Sequence, residues 1–159
     1  MKKAASSHMG VQTFSSSGAG QNMTGEDRNG RMQHSPAIAL MLVEARYERI
    51  HAALMLAVTA CALGQRVILF GMGSGTRAFC KDWSGLEESE REAGRLEAGV
   101  AGIETLREAL FEFDEASFHV CDSGIRSMKI SEDQLCDAVT VMGLPGFLEL
   151  SQGARLAVF

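Results

Sequence analysis

The sequence predicts an α/β fold, a three-layer α/β/α sandwich built on a mostly parallel five-stranded sheet. Five short apolar segments alternate with amphipathic or polar segments between residues 37 and 159. The first two, residues 37–43 and residues 66–70 after the initial Arg66, are apolar without regular alternation, which is typical of strands covered on both faces. Helical segments between successive strands favour parallel pairing, because each helix returns the chain to the same edge of the sheet.

The first half of the domain forms a predicted strand-helix-strand unit. Residues 47–63 place apolar side chains every three or four positions, and Gly64 follows as a helix stop. The strand at 66–70 then completes a βαβ unit, for which a right-handed crossover is expected. Residues 71–76 are rich in glycine but lack the Gly-Lys-Ser/Thr ending of a phosphate loop and follow the second strand rather than the first. They favour a flexible rim loop over a phosphate-binding loop.

The second half continues the alternation of helices and strands. Residues 81–98 are acidic and poor in core residues, which predicts a solvated helix or excursion. Residues 99–113 predict a helix with one apolar face, and residues 117–121 the strand that follows it. The remaining elements are predicted as a short helical turn at 131–137, a strand at 138–142, a helix at 145–153 and a last strand at 155–159. The pattern does not fix the order of the strands.

Composition bounds the organisation of the chain and its partners. Residues 1–34 are dominated by Ser, Gly, Gln, Asn and charged residues, which predicts a disordered tail before a single domain at 35–159. The net charge is −5 for the whole chain and −7 for residues 35–159, which argues against a nucleic-acid-binding surface. No apolar segment approaches the roughly 20 residues of a membrane span, and no apolar run follows the basic start. We therefore expect a cytoplasmic protein without a membrane partner.

Four cysteines, at positions 61, 80, 121 and 136, form no C-x-x-C pair. Neither a zinc ribbon nor a dithiol redox motif is encoded, and no metal site or cofactor is predicted. Cys61 lies on the inward face of the first predicted helix, so it is expected in the core, and Cys136 is also expected to pack. Cys80 stands beside Lys81 in a polar loop and is expected to be exposed, where it could resolve a persulfide or disulfide of Cys121.

Cys121 is the main candidate for a reactive residue. It ends a predicted strand and precedes Asp122, Ser123 and Gly124, a sequence typical of a turn into a helix. At such a position the sulfur is expected at a solvent-reachable rim, where unpaired backbone N–H groups favour the thiolate. Arg126 would stabilise this anion, and Asp122 would oppose it. The alternative is that Cys121 is a small buried residue that closes the strand.

Other side chains are expected near the same edge of the sheet. His119 lies two residues before Cys121 and so on the same face of the strand, where it could act as a base or pack in the core. Because the carboxyl ends of parallel strands meet at one edge, a binding crevice is expected there. Its predicted residues, some of which could instead be an ordinary helix start, are Tyr47, Glu48, His51, Gly73, Asp122, Ser123 and Gly124.

Several stretches together carry a likeness to a known family. Residues 42–51, 64–70, 120–126 and 143–159, in this order and spacing, resemble the DsrE/DsrF-like family of small sulfur-relay proteins. The resemblance extends over nearly all of residues 37–159, but residues 81–98 do not match and Asp122 stands where better-known members carry a neutral residue.

The resemblance implies a specific function. Cys121 falls on the position of the cysteine that carries sulfane sulfur as a persulfide, and Arg126 falls near a basic residue common after it. The family forms trimers or hexamers and passes sulfur from a protein donor to a protein acceptor, in relays that serve tRNA thiolation or sulfur oxidation. We therefore expect a sulfurtransferase-like carrier. The alternative is a non-catalytic oligomeric module that binds a small anion or nucleotide in the crevice.

Overall fold

The computed structural model describes residues 36–159, and its centre is a five-stranded parallel sheet. The strands are β1 (Ile38–Leu42), β2 (Val67–Gly71), β3 (Ala116–Cys121), β4 (Val139–Met142) and β5 (Arg155–Val158). Their order is β4-β3-β2-β1-β5, and every neighbouring pair is parallel. The α/β fold predicted from the sequence is confirmed. The predicted tail at 1–34 lies outside the described residues.

Helices connect the strands. They are α1 (Tyr47–Ala62), α2 (Arg91–Glu97), α3 (Ile103–Phe111), α4 (Asp122–Met128) and α5 (Leu144–Leu150), with two short 3-10 helices at Gly73–Phe79 and Glu132–Gln134. The positions of α1, α3 and α5 agree with the helices predicted at 47–63, 99–113 and 145–153 to within a few residues. No helix in the described part of the chain combines the length and apolar composition needed to cross a bilayer.

The larger core lies between the sheet and the helices α1 and α3. Because side chains alternate along a strand, Leu40, Leu69 and Val120 all point to this face, where they are fully buried. Ile50 of α1 and Leu110 of α3 pack against them and are also fully buried. This packing accounts for the apolar face that the sequence shows in both helices.

The smaller core lies on the opposite face of the sheet, which we call the Cys121 face. It contains Cys121, two residues of β2 and Phe147 of α5. The rings of Phe70 and Phe147 stack with their centroids 4.4 Å apart. β4 and β5 are the two edges of the sheet, so the connection that contains α5 crosses this face from one edge to the other.

The glycine-rich segment after β2 is packed rather than open. It forms the 3-10 helix Gly73–Phe79, in which Gly75 and Thr76 are buried. A Cβ on Gly75 would lie 2.1 Å from the backbone oxygen of Leu42 in β1. The expectation of a flexible rim loop is therefore wrong, because the absence of side chains lets this segment press against the backbone of the neighbouring strand.

Candidate functional site

Cys121 lies where β3 ends and α4 begins, as the sequence predicted. Its sulfur lies 2.9 Å from the hydroxyl oxygen of Ser123 and 3.7 Å from a carboxylate oxygen of Asp122. The residue is only 3% exposed and packs in the smaller core with Phe147. The expectation of a solvent-reachable sulfur is not met, because the sulfur-bearing residue belongs to the smaller core that Phe147 of α5 closes by stacking on Phe70.

Arg126 acts on Asp122 rather than on the sulfur. Its Nη2 forms an ion pair with the Asp122 carboxylate one helical turn earlier, and its Nε donates to the backbone oxygen of Asp122 at 3.1 Å. The Arg126 side chain is 74% exposed, and this orientation differs from the expected contact with the thiolate. The guanidinium nevertheless offsets the charge of the carboxylate beside Cys121, which would otherwise oppose an anionic sulfur.

Gly73 and Gly124 let the 3-10 helix after β2 and the start of α4 approach each other beside Cys121. A Cβ on Gly124 would lie 2.7 Å from Thr76 Oγ1, 3.1 Å from the nitrogen of Gly73 and 3.6 Å from Cys121 Cβ. Thr76 is fully buried, and its hydroxyl has no hydrogen-bond partner among residues 36–159. Three residues of the predicted crevice, Gly73, Ser123 and Gly124, thus lie near Cys121. Thr76 is a polar member of it that the sequence did not single out.

Tyr47, Glu48 and His51 do not join this cluster. They begin α1, which packs on the face of the sheet opposite to Cys121. The segment that contains α2 covers them, and this segment has no sequence feature that would place it there. The placement of these three residues in a crevice with Cys121 is therefore wrong.

The cover over the start of α1 is held by polar contacts. The hydroxyl of Tyr47 donates to Glu92 Oε2 at 2.5 Å, and the same oxygen accepts the backbone N–H of Ile103 at 3.0 Å. Burial, together with the Glu92 carboxylate, raises the pKa of Tyr47 above its ordinary value. Arg95 pairs with Glu48, and none of the residues of α2 is buried. The solvated helix predicted for this acidic segment is present.

His119 lies on the Cys121 face, as the alternation of β3 predicted, and is buried there. Its Nδ1 lies 2.6 Å from Thr140 Oγ1, and the Thr140 hydroxyl donates to the backbone oxygen of Phe118 at 3.3 Å. The hydroxyl has one proton, so Nδ1–H donates to it and Nε2 of the neutral ring is unprotonated. Nε2 has no hydrogen-bond partner within the described part of the chain.

This environment predicts a specific pH dependence of stability. Burial, with a smaller effect of the Arg66 charge, holds the pKa of His119 below its ordinary value of 6.5. The unfolded chain therefore binds this proton at higher pH than the folded protein does. As the pH is lowered from 6.5, the free energy of unfolding should decrease. The decrease should end once the pH is below the lower pKa that His119 has in the folded protein.

Urea unfolding at a series of pH values measures this effect. Below pH 6.5, the free energy of unfolding of the His119→Gln variant should decrease less than that of the wild type. The variant has no imidazole at this position to protonate. Identical pH profiles for the variant and the wild type would contradict the assignment.

The other three cysteines are also buried. Burial raises the pKa of the Cys61 and Cys80 thiols. Cys61 packs in the larger core as predicted. The prediction that Cys80 is exposed is wrong: its backbone bridges to Leu135 in antiparallel fashion, which turns its side chain into the core, where it is 7% exposed. Cys136 contacts a buried arginine, and no local pattern predicted this contact.

Comparisons with known proteins extend the assignment of the fold. No protein-family model matches the chain, and no curated protein matches it. Among solved structures, the YchN protein from E. coli superimposes with a TM-score of 0.57 at 17% identity, over 77% of this chain and 99% of YchN. MTH1491, a protein of unknown function from Methanobacterium thermoautotrophicum, gives a TM-score of 0.49 at 14% identity, over 79% of this chain and 100% of its own.

The likeness to YchN concerns the fold alone. The superposition covers nearly the whole of YchN. The two proteins therefore share one arrangement of sheet and helices over 77% of this chain. This supports the α/β fold on a parallel sheet that the sequence predicted. At 17% identity the likeness carries no residue roles from one protein to the other.

Proposed function

We propose that this protein is a small cytoplasmic sulfur carrier of the sulfurtransferase type, in which Cys121 holds sulfane sulfur as a persulfide. The observation that carries the proposal is the position of the Cys121 sulfur at the carboxyl end of β3, 2.9 Å from the Ser123 hydroxyl. The hydroxyl can donate to an anionic sulfur and stabilise it. The pairing of Arg126 with Asp122 offsets the nearest opposing charge.

The proposed reaction consists of two sulfur transfers. In the first, the Cys121 thiolate attacks the outer sulfur of a donor persulfide, R–S–SH. A new S–S bond forms at Cys121, the S–S bond of the donor breaks, and the donor leaves as the thiolate R–S⁻. In the second, the thiolate of an acceptor protein attacks the outer sulfur of Cys121–S–SH, and Cys121 is released as its thiolate. No external oxidant or reductant is consumed.

The cover over Cys121 gives this carrier a protected state. Met142 pairs with Cys121 in the sheet register, and Met72 packs against the same core; both are half-buried. Methionine side chains are unbranched and adapt to their surroundings, so they can move aside more readily than Phe147. The proposed transfer occurs after such a movement. Between transfers, the apolar cover shields the persulfide from water and from unrelated thiols.

The carrier acts as a homo-oligomer, a trimer or a hexamer, and its partners are a protein sulfur donor and a protein sulfur acceptor. An apolar surface on the Cys121 face supports contact with a second copy. Leu148 of α5 and Leu156 and Val158 of β5 are each more than half exposed there. β5 is an edge strand, so its outer side is free of strand partners within residues 36–159.

Intact mass spectrometry tests the carrier function. After incubation with a low-molecular-weight persulfide donor and removal of the excess, the wild type should gain the mass of one sulfur atom. The gain should disappear on treatment with a reducing thiol. Cys121→Ser should gain none, whereas Cys61→Ser, which removes a core thiol from the opposite face, should behave like the wild type. A gain that is equal in Cys121→Ser and the wild type would reject the proposal.

The buried hydroxyl of Thr76 favours a second candidate function. It has no partner in the described part of the chain and lies with Gly73 beside Gly124, so an oxygen of a small anion or nucleotide could bind to it once the 3-10 helix and α4 separate. In such a non-catalytic oligomeric module, Cys121→Ser would keep ligand-dependent thermal stabilisation. A carrier would instead lose all sulfur transfer in this variant, which separates the two functions.

A further inference from the structure

Arg107 of α3 is a buried cation with few partners. Its side chain is only 5% exposed, and Nε and Nη1 have no hydrogen-bond acceptor among residues 36–159. One carboxylate oxygen, Glu104 Oε2, lies 3.8 Å from Nη1. That oxygen is already engaged by the indole N–H of Trp83 at 2.7 Å, and the Glu104 side chain is half exposed. A guanidinium is always charged in proteins, so burial of this one calls for a closer counter-charge.

The remaining nitrogen of the guanidinium points at a thiol. Nη2 of Arg107 donates to Cys136 Sγ at 2.7 Å, in a contact that is fully buried. The two residues are 29 positions apart in the sequence. The guanidinium therefore lies against the sulfur, where its positive charge would stabilise negative charge on that atom. Only the anionic form of a cysteine is a strong nucleophile.

Cys136 also lines a cavity of about 650 Å³. Charged residues around this cavity include Lys81, Glu132, Asp133 and Asp137. Lys81 is neutralised by its ion pair with Asp137 at 3.0 Å, which leaves a net negative lining. Anionic electrophiles, such as glutathione disulfide or a persulfide anion, are repelled by such a lining, whereas small neutral electrophiles are not.

We propose that Cys136 is a second reactive thiol, separate from Cys121, that Arg107 activates for oxidation by hydrogen peroxide and other small neutral hydroperoxides. The Cys136 thiolate attacks one peroxide oxygen, an S–O bond forms and the O–O bond breaks. The sulfur is oxidised by two electrons to a sulfenic acid and the peroxide is reduced. The leaving hydroxide takes a proton from solvent and becomes water. Cys136 precedes β4 and Cys121 ends β3, so the two thiols are at opposite ends of neighbouring strands.

The experiment traps the sulfenic acid in the full-length protein. Wild-type protein is treated with substoichiometric hydrogen peroxide in the presence of dimedone, and the labelled peptides are quantified by mass spectrometry. Cys136 should be labelled at least about tenfold faster than Cys61, because Arg107 contacts the Cys136 sulfur, whereas the charge that acts on Cys61 is that of a carboxylate, Glu115. If dimedone labels Cys136 of the wild-type protein no faster than Cys61, the proposal is overturned, and no variant is needed to show it.

Two substitutions of Arg107 then test the cause. Arg107→Met keeps an apolar stem of similar length without the charge, and should lower the labelling rate of Cys136 by about tenfold or more. Arg107→Lys keeps the charge and should retain most of the rate. Unchanged labelling in a folded Arg107→Met protein would contradict activation by the guanidinium.

If Arg107→Met does not fold, as judged by circular dichroism, the labelling rate of Cys136 in a Glu104→Gln variant tests the role of the guanidinium instead. It removes the competing carboxylate but keeps an oxygen that accepts the N–H of Trp83, and its position is half exposed. Labelling of Cys136 should become faster in this variant, and an unchanged rate would overturn the proposal. The sulfur-carrier function is tested separately, because Cys121→Ser should leave labelling of Cys136 unaltered.

Discussion

Replacing Phe147 with alanine should lower the free energy of unfolding by about 3–5 kcal/mol, which is typical for the loss of a fully buried aromatic ring. Phe147 is completely buried and stacks on Phe70 with centroids 4.4 Å apart. It is the residue through which α5 enters the smaller core beside Cys121. The same substitution should therefore make the Cys121 sulfur react faster with a thiol reagent, because its cover is removed.

Urea unfolding and the rate of alkylation of Cys121, followed by peptide mass spectrometry, measure both effects. Leu96→Ala is the control, because it removes a large apolar side chain from α2, where the side chain is 54% exposed and lies outside the surface proposed to contact a second copy. It should change the free energy of unfolding by no more than about 0.5 kcal/mol. Equal effects of the two substitutions would show that α5 does not pack on the Cys121 face as described.

Replacing Gly75 with alanine should lower the free energy of unfolding by about 3 kcal/mol or more, at the upper end of what overpacking costs. A Cβ at this position would lie 2.1 Å from the carbonyl oxygen and 2.4 Å from the carbonyl carbon of Leu42, and 2.8 Å from the nitrogen of Val43. All three atoms belong to the backbone, so no side chain can rotate away. The 3-10 helix after β2 would have to separate from β1.

Gly94→Ala provides the control for this substitution. Gly94 lies in α2, and a Cβ there would meet no atom within 4 Å. Alanine is the better helix former, so this variant should be up to about 1 kcal/mol more stable than the wild type. Thermal or urea unfolding of both variants gives the comparison. A Gly75→Ala protein as stable as Gly94→Ala would contradict the close approach of the two backbones.

The fold could be predicted largely from local patterns. The apolar runs in the predicted strands 37–43 and 66–70 are of strand length. The structure places β1 inside the first, and β2 begins one residue later than the second and ends one residue beyond it. The helix at 47–63 was marked by its apolar periodicity and by Gly64, and α1 occupies it. The order of the strands could not be predicted, because it depends on how long-range connections cross the sheet rather than on any local segment.

The surroundings of the candidate sites could be predicted only in part. The position of Cys121 at the end of a strand follows from the local sequence, but its burial depends on α5, which comes from a later segment and crosses over it. The predicted position of Tyr47 beside Cys121 is wrong for the same reason, because its hydroxyl bonds to Glu92, which is 45 positions away in the sequence. The contact of Arg107 with Cys136 is likewise a product of tertiary packing, and neither residue has a local pattern that marks it.

The central claim is that Cys121 carries the transferred sulfur, and peptide mass spectrometry after incubation with a persulfide donor tests it most directly. The added sulfur should be found on the peptide that contains Cys121, and it should move to an acceptor thiol when one is supplied. Added sulfur on the peptide of Cys136 or Cys80 instead, or on no cysteine peptide at all, would contradict the account.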